Sequence, residues 1–215
     1  MDLRIGRQDE EGPSWTVLSD LAITMVLVLI LLVLLQFLVT FWERAVNQEL
    51  TRRQHEVRDS LASYASEGAV RIDSIAPDRQ RLTFSSAALF PTCDARLERE
   101  GRELLGAIGA LLGRRAQYFE AIHIEGHTDT VPTNLGCDFP SNWELSSARA
   151  TSVVRVFVDS SAIDARKLSA IGRAEFHPVR RERLDLNRRI EVILQFDREQ
   201  VVQQMQDRAS STPNN

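Results

Sequence analysis

The chain has 215 residues, of which 43% are hydrophobic and 26% charged, with a net charge of −4 and two cysteines. One apolar span and one soluble domain of ordinary size fill this length. The balance is slightly acidic and no basic cluster with interleaved aromatics occurs, which excludes the ordinary nucleic-acid-binding classes.

Residues 1–14 are polar and mix Arg4 and Arg7 with Asp2, Asp9, Glu10 and Glu11. They lack the basic n-region of a signal peptide, and the apolar run behind them is too long for an h-region. An uncleaved signal-anchor is expected, with 1–14 as a tail. From Trp15 to Trp42 the chain is almost continuously Val, Leu and Ile. At 1.5 Å per residue this helix is about 40 Å long, enough for the hydrocarbon core and both interfaces. Trp at each end suits the membrane–water boundary. The span is set at 15–42.

Asp20 is the one ionisable side chain between the two tryptophans. A carboxylate inside a bilayer costs at least ~2.5 kcal/mol. Asp20 lies about one turn inside Trp15, so it reads either as a tolerated near-interface acid or as a proton carrier. Thr16, Asp20 and Thr24 are spaced i, i+4, i+8 and share a helix face, which makes Thr16 and Thr24 the candidate channel-lining residues. Gln36 and Thr40 fall on roughly the opposite face. One helix encloses no proton path, so the proton reading requires a second polypeptide. Counting Arg4 and Arg7 before the span against Arg44, Arg52, Arg53 and Arg58 after it puts the C-terminal side in the cytoplasm.

Residues 43–68 read as a continuing helical stalk ended by Gly68. Leu50, Val57 and Tyr64 are one heptad apart, which fits either a short parallel dimer seam, interrupted by Arg53, or an amphipathic helix packed on its own domain. A hairpin follows, Val70–Ile75 and Leu82–Phe84 around Pro77-Asp78-Arg79-Gln80. A helix is expected over about 95–117 with Leu97, Leu104, Leu105, Ile108, Leu111 and Leu112 buried. Then come a strand over 119–125, a loop over 126–141, and a helix over about 143–159 burying Leu145, Val153, Val154, Phe157 and Val158. Residues 168–172 form a short strand or loop, 173–186 are irregular, 189–196 form the last strand, and 197–215 are a tail that begins helically. The order specifies an α+β domain over 69–196, a small mixed sheet with helices on one face.

The specific signal is concentrated in three pieces: Ile124-Glu-Gly-His-Thr-Asp129, Asn142-Trp-Glu-Leu145-Ser-Ser-Ala-Arg149-Ala150, and Asn187-Arg-Arg-Ile-Glu191. In this order they closely resemble the OmpA/MotB-type peptidoglycan-binding domain, over roughly residues 82–196. The resemblance implies that Asp129 takes the ammonium and Arg149 the carboxylate of diaminopimelate in a peptidoglycan stem. Asn142 then helps to line the pocket and Leu145 packs beneath it. A planar guanidinium fork suits a carboxylate. The bland alternative is that Asp129 and Arg149 only pair with each other. His55, His123, His127 and His177 are scattered and give no metal-ligand spacing, Ser146 has no base at hand, and no Gly-rich phosphate loop occurs. The chain therefore reads as a non-enzyme without metal or cofactor.

The resemblance implies an external wall-binding domain, so it overrides the charge count: N-terminus cytoplasmic, C-terminal domain periplasmic, protein in the bacterial inner membrane. In that compartment Cys93 and Cys137, each in a loop beside a strand end, can oxidise to an intrachain disulfide, with free thiols or an interchain bridge as alternatives. The Trp15-x4-Asp20-Leu21 piece ahead of an apolar run resembles the membrane motif of MotB-type stator subunits. Ser19 and the Val/Leu run depart from that family's Ala before the acid and small or Met-rich residues after it. The segment between span and wall domain is short and shows no separate plug helix, which points to a non-flagellar relative, most like the MotB-like subunit of the Zorya anti-phage system. The resemblance then implies a homodimer inside a ring of five polytopic MotA-like subunits, turning as Asp20 takes up and releases protons. Protons fit better than sodium, because hard cations want more oxygens than this helix offers. The alternatives are a passive wall anchor, a flagellar stator subunit, and an ExbD-like energiser, which the full wall motif disfavours.

Overall fold

The computed structural model describes residues 15–133, 137–160 and 163–211, apart from the side chains of Thr16 and Val17. The chain divides into two compact units, Met1–Ala45 and Val46–Asn215. Helix α1 (Trp15–Ser60) contributes to both. Within the first unit the large apolar side chains from Leu18 to Phe41 are exposed, as the apolar run requires of a lipid-facing rod. Hydroxyls on this stretch are satisfied by the helix itself. Thr24 donates to the Asp20 carbonyl at 2.7 Å and Ser19 to the Trp15 carbonyl.

In the second unit, α2 (Ala62–Ser66) precedes a hairpin of β1 (Arg71–Ala76) and β2 (Arg79–Ser85), closed by the two residues Pro77 and Asp78. The remaining elements are α3 (Arg99–Gly113), β3 (Phe119–His127), α4 (Asn142–Ser160), β4 (Leu168–Gly172), α5 (Leu184–Asn187), β5 (Arg189–Phe196) and α6 (Arg198–Ser211). The five strands form one sheet in the order β1-β2-β5-β3-β4, antiparallel except for the β3–β4 pair. That parallel pair is the crossover through α4, which packs on both of its strands, and α3 packs on α4. The expected mixed sheet with helices is the architecture observed.

Strand β5 is central and buried along nearly its whole length. Its alternate residues Ile190, Val192, Leu194 and Phe196 join Leu82, Phe84, Phe119, Ile122 and Ile124 in a single apolar core with Leu105, Ile108, Val153 and Phe157 of the helices. The intervening residues Arg189 and Glu191 enter a charged layer on the opposite face.

Several sequence expectations are corrected. Val46, Leu50, Val57 and Leu61 are all fully buried in this same core. The heptad is thus spent within the chain, and the dimer-seam reading of Leu50 and Val57 fails. Arg53 is also enclosed: its guanidinium donates to Gln200 and Gln204 of α6 at 3.1 and 2.8 Å and lies over the Tyr118 ring at 4.7 Å. The domain therefore starts near residue 46 rather than 69. Its C-terminal helix belongs to it too, since Val201 is buried in the core. Helix α3 is shorter than the expected 95–117 because Asp94 instead caps a turn at Arg96, and the helix begins only after Glu98. On α4, Val158 is 44% exposed, whereas Val154 packs against the core as expected and Ala150 and Val156 are buried as well.

The start of α4 is set by two local devices. Ser141 accepts from the Trp143 N–H at 3.1 Å and meets the Glu144 carboxylate, a Ser-x-x-Glu cap that defines the first turn. Gly126 and Gly172, paired across β3 and β4, let that turn lie directly on the sheet. A Cβ on Gly126 would stand 2.1 Å from the Ser146 carbonyl oxygen.

Candidate functional site

The loop that leaves β3 and the first turns of α4 close around a pocket of about 450 Å³, lined among others by Asp129, Asn142, Leu145, Arg149 and Arg188. The four pocket residues expected from the sequence therefore meet in one cavity, and each is at least nine-tenths buried. The loop over residues 86–98 supplies the opposite wall with Phe90, Pro91 and Cys93.

Each side chain is held by its surroundings. Asp129 Oδ1 accepts from the Val131 N–H at 3.0 Å, a turn made by the aspartate over its own backbone. Asn142 Nδ2 donates to the carbonyls of Asp129 and Val131, both at 3.2 Å, and so ties the loop to the helix start. Arg149 Nε donates to the Asp94 carbonyl at 2.8 Å and Nη2 to the Pro91 carbonyl at 3.2 Å, and its guanidinium lies 5.3 Å from the Phe90 ring centre. Burial is the main force lowering the Arg149 pKa, to about 10. The positive charge of Arg188 pushes the same way, against Asp94 and Asp129. Arg149 remains a cation at neutral pH.

Asp129 and Arg149 do not pair with each other. Asp129 Oδ2 takes its ion pair from Arg188 Nη1 at 2.6 Å. Arg188 is thus a pocket residue that the sequence reasoning missed. Its signal was present in Asn187-Arg188-Arg189, but only the fold shows which of the two arginines turns to the pocket: Arg189 is buried against Glu191 at 2.7 Å instead. Cys93 and Cys137 are joined as a disulfide with Cα atoms 5.3 Å apart, linking the two loops that wall the pocket. Ser146 is fully buried. It donates to the Trp143 carbonyl and accepts from the Ala174 N–H.

A second cluster lies on the sheet face away from the core. The ligand-type atoms of Glu125, His127 and Glu191 fall within 4.8 Å of one another. Alternation along β3 and the pairing of Glu125 with Glu191 across to β5 bring them together. Arg173 reaches Glu125 at 2.6 Å, and Arg189 and Arg81 reach Glu191 at 2.7 and 3.1 Å. Two like charges directly opposite are thereby offset by three guanidiniums, which leaves little electrostatic room for a divalent cation. His127 and Arg173 together hold the Glu125 carboxyl down at about 2 against the cost of burial. Burial also pushes the His127 pKa down, so its imidazole stays neutral.

Asp20 and Thr24 lie in the other unit, one helical turn apart on α1. The Thr16 side chain lies outside the described residues.

Residues 89–191 match the model of the OmpA family. The protein YtxE of Bacillus subtilis is 30% identical over 156 residues, 67% of this chain and 62% of its own. Motility protein B of the same organism is 31% identical over 117 residues, 53% of this chain and 44% of its own. The matched region thus spans less than two thirds of each of these relatives. Among solved structures, a MotB-like protein from Desulfovibrio vulgaris superposes with a TM-score of 0.65 at 26% identity, covering 73% of this chain and 99% of its own. The cell wall anchor of the T6SS from Pseudomonas aeruginosa superposes with a TM-score of 0.58 at 29% identity, covering 66% and 97%.

Proposed function

Because this chain carries an OmpA-like domain behind an apolar helix of membrane-spanning length, we propose that it is a wall-anchored membrane subunit whose pocket holds diaminopimelate of the peptidoglycan stem. The observation that carries this reading is the meeting of the Asp129 carboxylate and the Arg149 guanidinium in one cavity. Diaminopimelate presents an ammonium and a carboxylate on one carbon, and a fixed anion beside a fixed cation matches that pair. Asp129 receives the ammonium in competition with Arg188, and Arg149 receives the carboxylate while its other donors brace it on Asp94 and Pro91. Likeness to a cell wall anchor supports the same assignment.

The domain then lies outside the cytoplasmic membrane, with the N-terminus inside. The Cys93–Cys137 disulfide supports an oxidising compartment for it.

For the membrane segment, Asp20 is the proton carrier of a stator B-subunit, and a MotA-like polytopic partner supplies the remainder of the path around Asp20 and Thr24. A pair of chains stands inside a ring of partner subunits, anchored so that the ring turns about it. The membrane potential supplies about 2.3 kcal/mol per charge per 100 mV, enough to bias such a step. Likeness to Motility protein B and to a MotB-like structure supports the stator reading. The unbroken run of α1 from Trp15 to Ser60 leaves no stretch there for a separate plug helix, which favours a non-flagellar, Zorya-type output in anti-phage defence.

The test uses the full chain expressed in its native host with its own flanking genes. Asp129→Asn and Arg149→Ala should each abolish retention on purified sacculi, and undiminished retention in both refutes the pocket. Asp20→Asn should abolish the biological output while sacculus binding persists. Output that survives this exchange leaves a passive wall anchor as the function.

A further inference from the structure

We propose that Trp143 and Phe176 form a sugar-stacking platform, a second subsite that takes the acetamido-sugar of the glycan strand whose stem peptide enters the Asp129–Arg149 pocket. The proposal rests on the peptidoglycan reading of that pocket. The two rings stack with centroids 5.5 Å apart and planes 28° from parallel. Trp143 is 49% and Phe176 61% exposed. Stacking uses one face of each ring and leaves the outer face to solvent.

Both rings stand on backbone that is fixed. Trp143 is the second residue of α4, and its N–H is held by Ser141. Phe176 lies in the loop between β4 and α5. That loop is pinned on either side: the Ala174 N–H donates to Ser146, and the carbonyl of His177 accepts from Arg189 Nη2 at 3.1 Å. Farther along, Asn187 Oδ1 accepts from the N–H of Val179 at 2.9 Å. A flat, pre-oriented aromatic face suits a pyranose ring, whose axial C–H groups carry slight positive charge against the negative face of the π-system. Preorganisation of this kind lowers the ordering cost of binding.

The position selects the occupant. Trp143 directly follows Asn142, which lines the pocket, so their Cα atoms are about 3.8 Å apart. In a peptidoglycan stem two amino acids and a lactyl group separate diaminopimelate from the muramic sugar. At about 3.3–3.6 Å per extended residue the sugar stands on the order of 10 Å from the pocket, a distance that rings stacked on the neighbour of Asn142 can span. Two side chains offer far less than the roughly 800 Å² that each partner buries in a stable protein interface, but they match one sugar ring.

The experiment is calorimetric titration of the full chain in nanodiscs with three ligands. These are the diaminopimelate tripeptide, the same tripeptide on its N-acetylglucosamine–N-acetylmuramic acid disaccharide, and a peptide-free N-acetylglucosamine tetramer. The disaccharide-peptide should bind about five-fold tighter than the tripeptide. Trp143→Ala and Phe176→Ala should erase that margin and the weak binding of the tetramer, with Phe176→Ala leaving tripeptide affinity unchanged. Trp143→Phe should restore part of the margin. Equal affinity of the wild-type chain for both peptides, or a margin that survives Phe176→Ala, overturns the platform. So does a change in oligomeric state in Phe176→Ala without loss of the margin, which would make the rings a contact between copies. If the tripeptide does not bind at all, the pocket reading fails separately. The platform is then judged on the tetramer: its binding, lost in Phe176→Ala, sustains the platform, and its failure to bind overturns it.

Discussion

Arg188 Nη1 stands 2.6 Å from Asp129 Oδ2, so the anion of the pocket already holds a cation of its own chain. Arg188 is 44% exposed at its side chain and Asp129 only 7%. A pair open to water on one side is weak, on the order of 1 kcal/mol or less. An incoming ammonium can therefore displace or share it. Asp129→Asn should lower tripeptide affinity more than about ten-fold, because it removes the fixed charge. Arg188→Gln should change it by less than about three-fold, since lost positioning of Asp129 is offset by its greater availability. Calorimetric titration of both variants checks the contrast, and an equal loss in the two would make Arg188 a direct ligand group.

Arg149 carries two loads, one on the ligand and one on the loop over residues 86–98. Lysine keeps the charge but cannot reach the carbonyls of Asp94 and Pro91 together. Arg149→Lys should therefore cost about 1–3 kcal/mol of domain stability and at least ten-fold in sacculus affinity. Thermal unfolding and a sacculus pull-down on the same preparation measure the two effects side by side.

Leu50 is fully buried inside its own chain's core. Leu50→Ala should cost about 2–5 kcal/mol, read as a lowered midpoint of chemical unfolding of the C-terminal unit. Had this residue belonged to a dimer seam, stability of the unit would hold and only self-association would weaken.

Acid should destabilise the domain in two stages. Glu125 is held at about 2, below its ordinary 4.5, chiefly by His127 and then Arg173. Its contribution is complete above about pH 4.5 and is lost as pH falls toward 2, and amounts to at most about 3 kcal/mol. His127 is lowered by burial from an ordinary 6.5. The unfolded chain therefore binds the proton first, and stability begins to fall below about pH 6.5. Urea unfolding across pH 7.5 to 2 should show a decline that starts near 6.5 and a second below about 4.5. His127→Gln should remove the upper stage and shrink the lower one.

The apolar rod, the order of strands and helices, and the set Asp129, Asn142, Leu145 and Arg149 were legible in the chain itself. The rod and the order of elements are written in short-range patterns: a run of Val and Leu, alternation along β3 and β5, and helical spacing along α3 and α4. Those patterns reflect local geometry, which neighbouring residues determine. The residue set came from the resemblance of three sequence pieces to the OmpA/MotB-type domain.

What the tertiary structure alone decided are contacts between segments far apart in the chain. The partner of Asp129 comes from 59 residues away. The stretch from Val46 to Leu61 read either as a dimer seam or as a helix packed on its own domain, because its apolar spacing suits any buried surface, and only the folded domain shows that the surface is its own. The face of Glu125, His127 and Glu191 is unreadable for a similar reason. Charges that would repel across two strands become tolerable only when Arg81 and Arg173 arrive from β2 and from the end of β4 to join Arg189, two residues from Glu191 on β5, and no local rule announces those two arrivals. Periodicity tells which side of an element turns inward; it does not tell which neighbour will be waiting there.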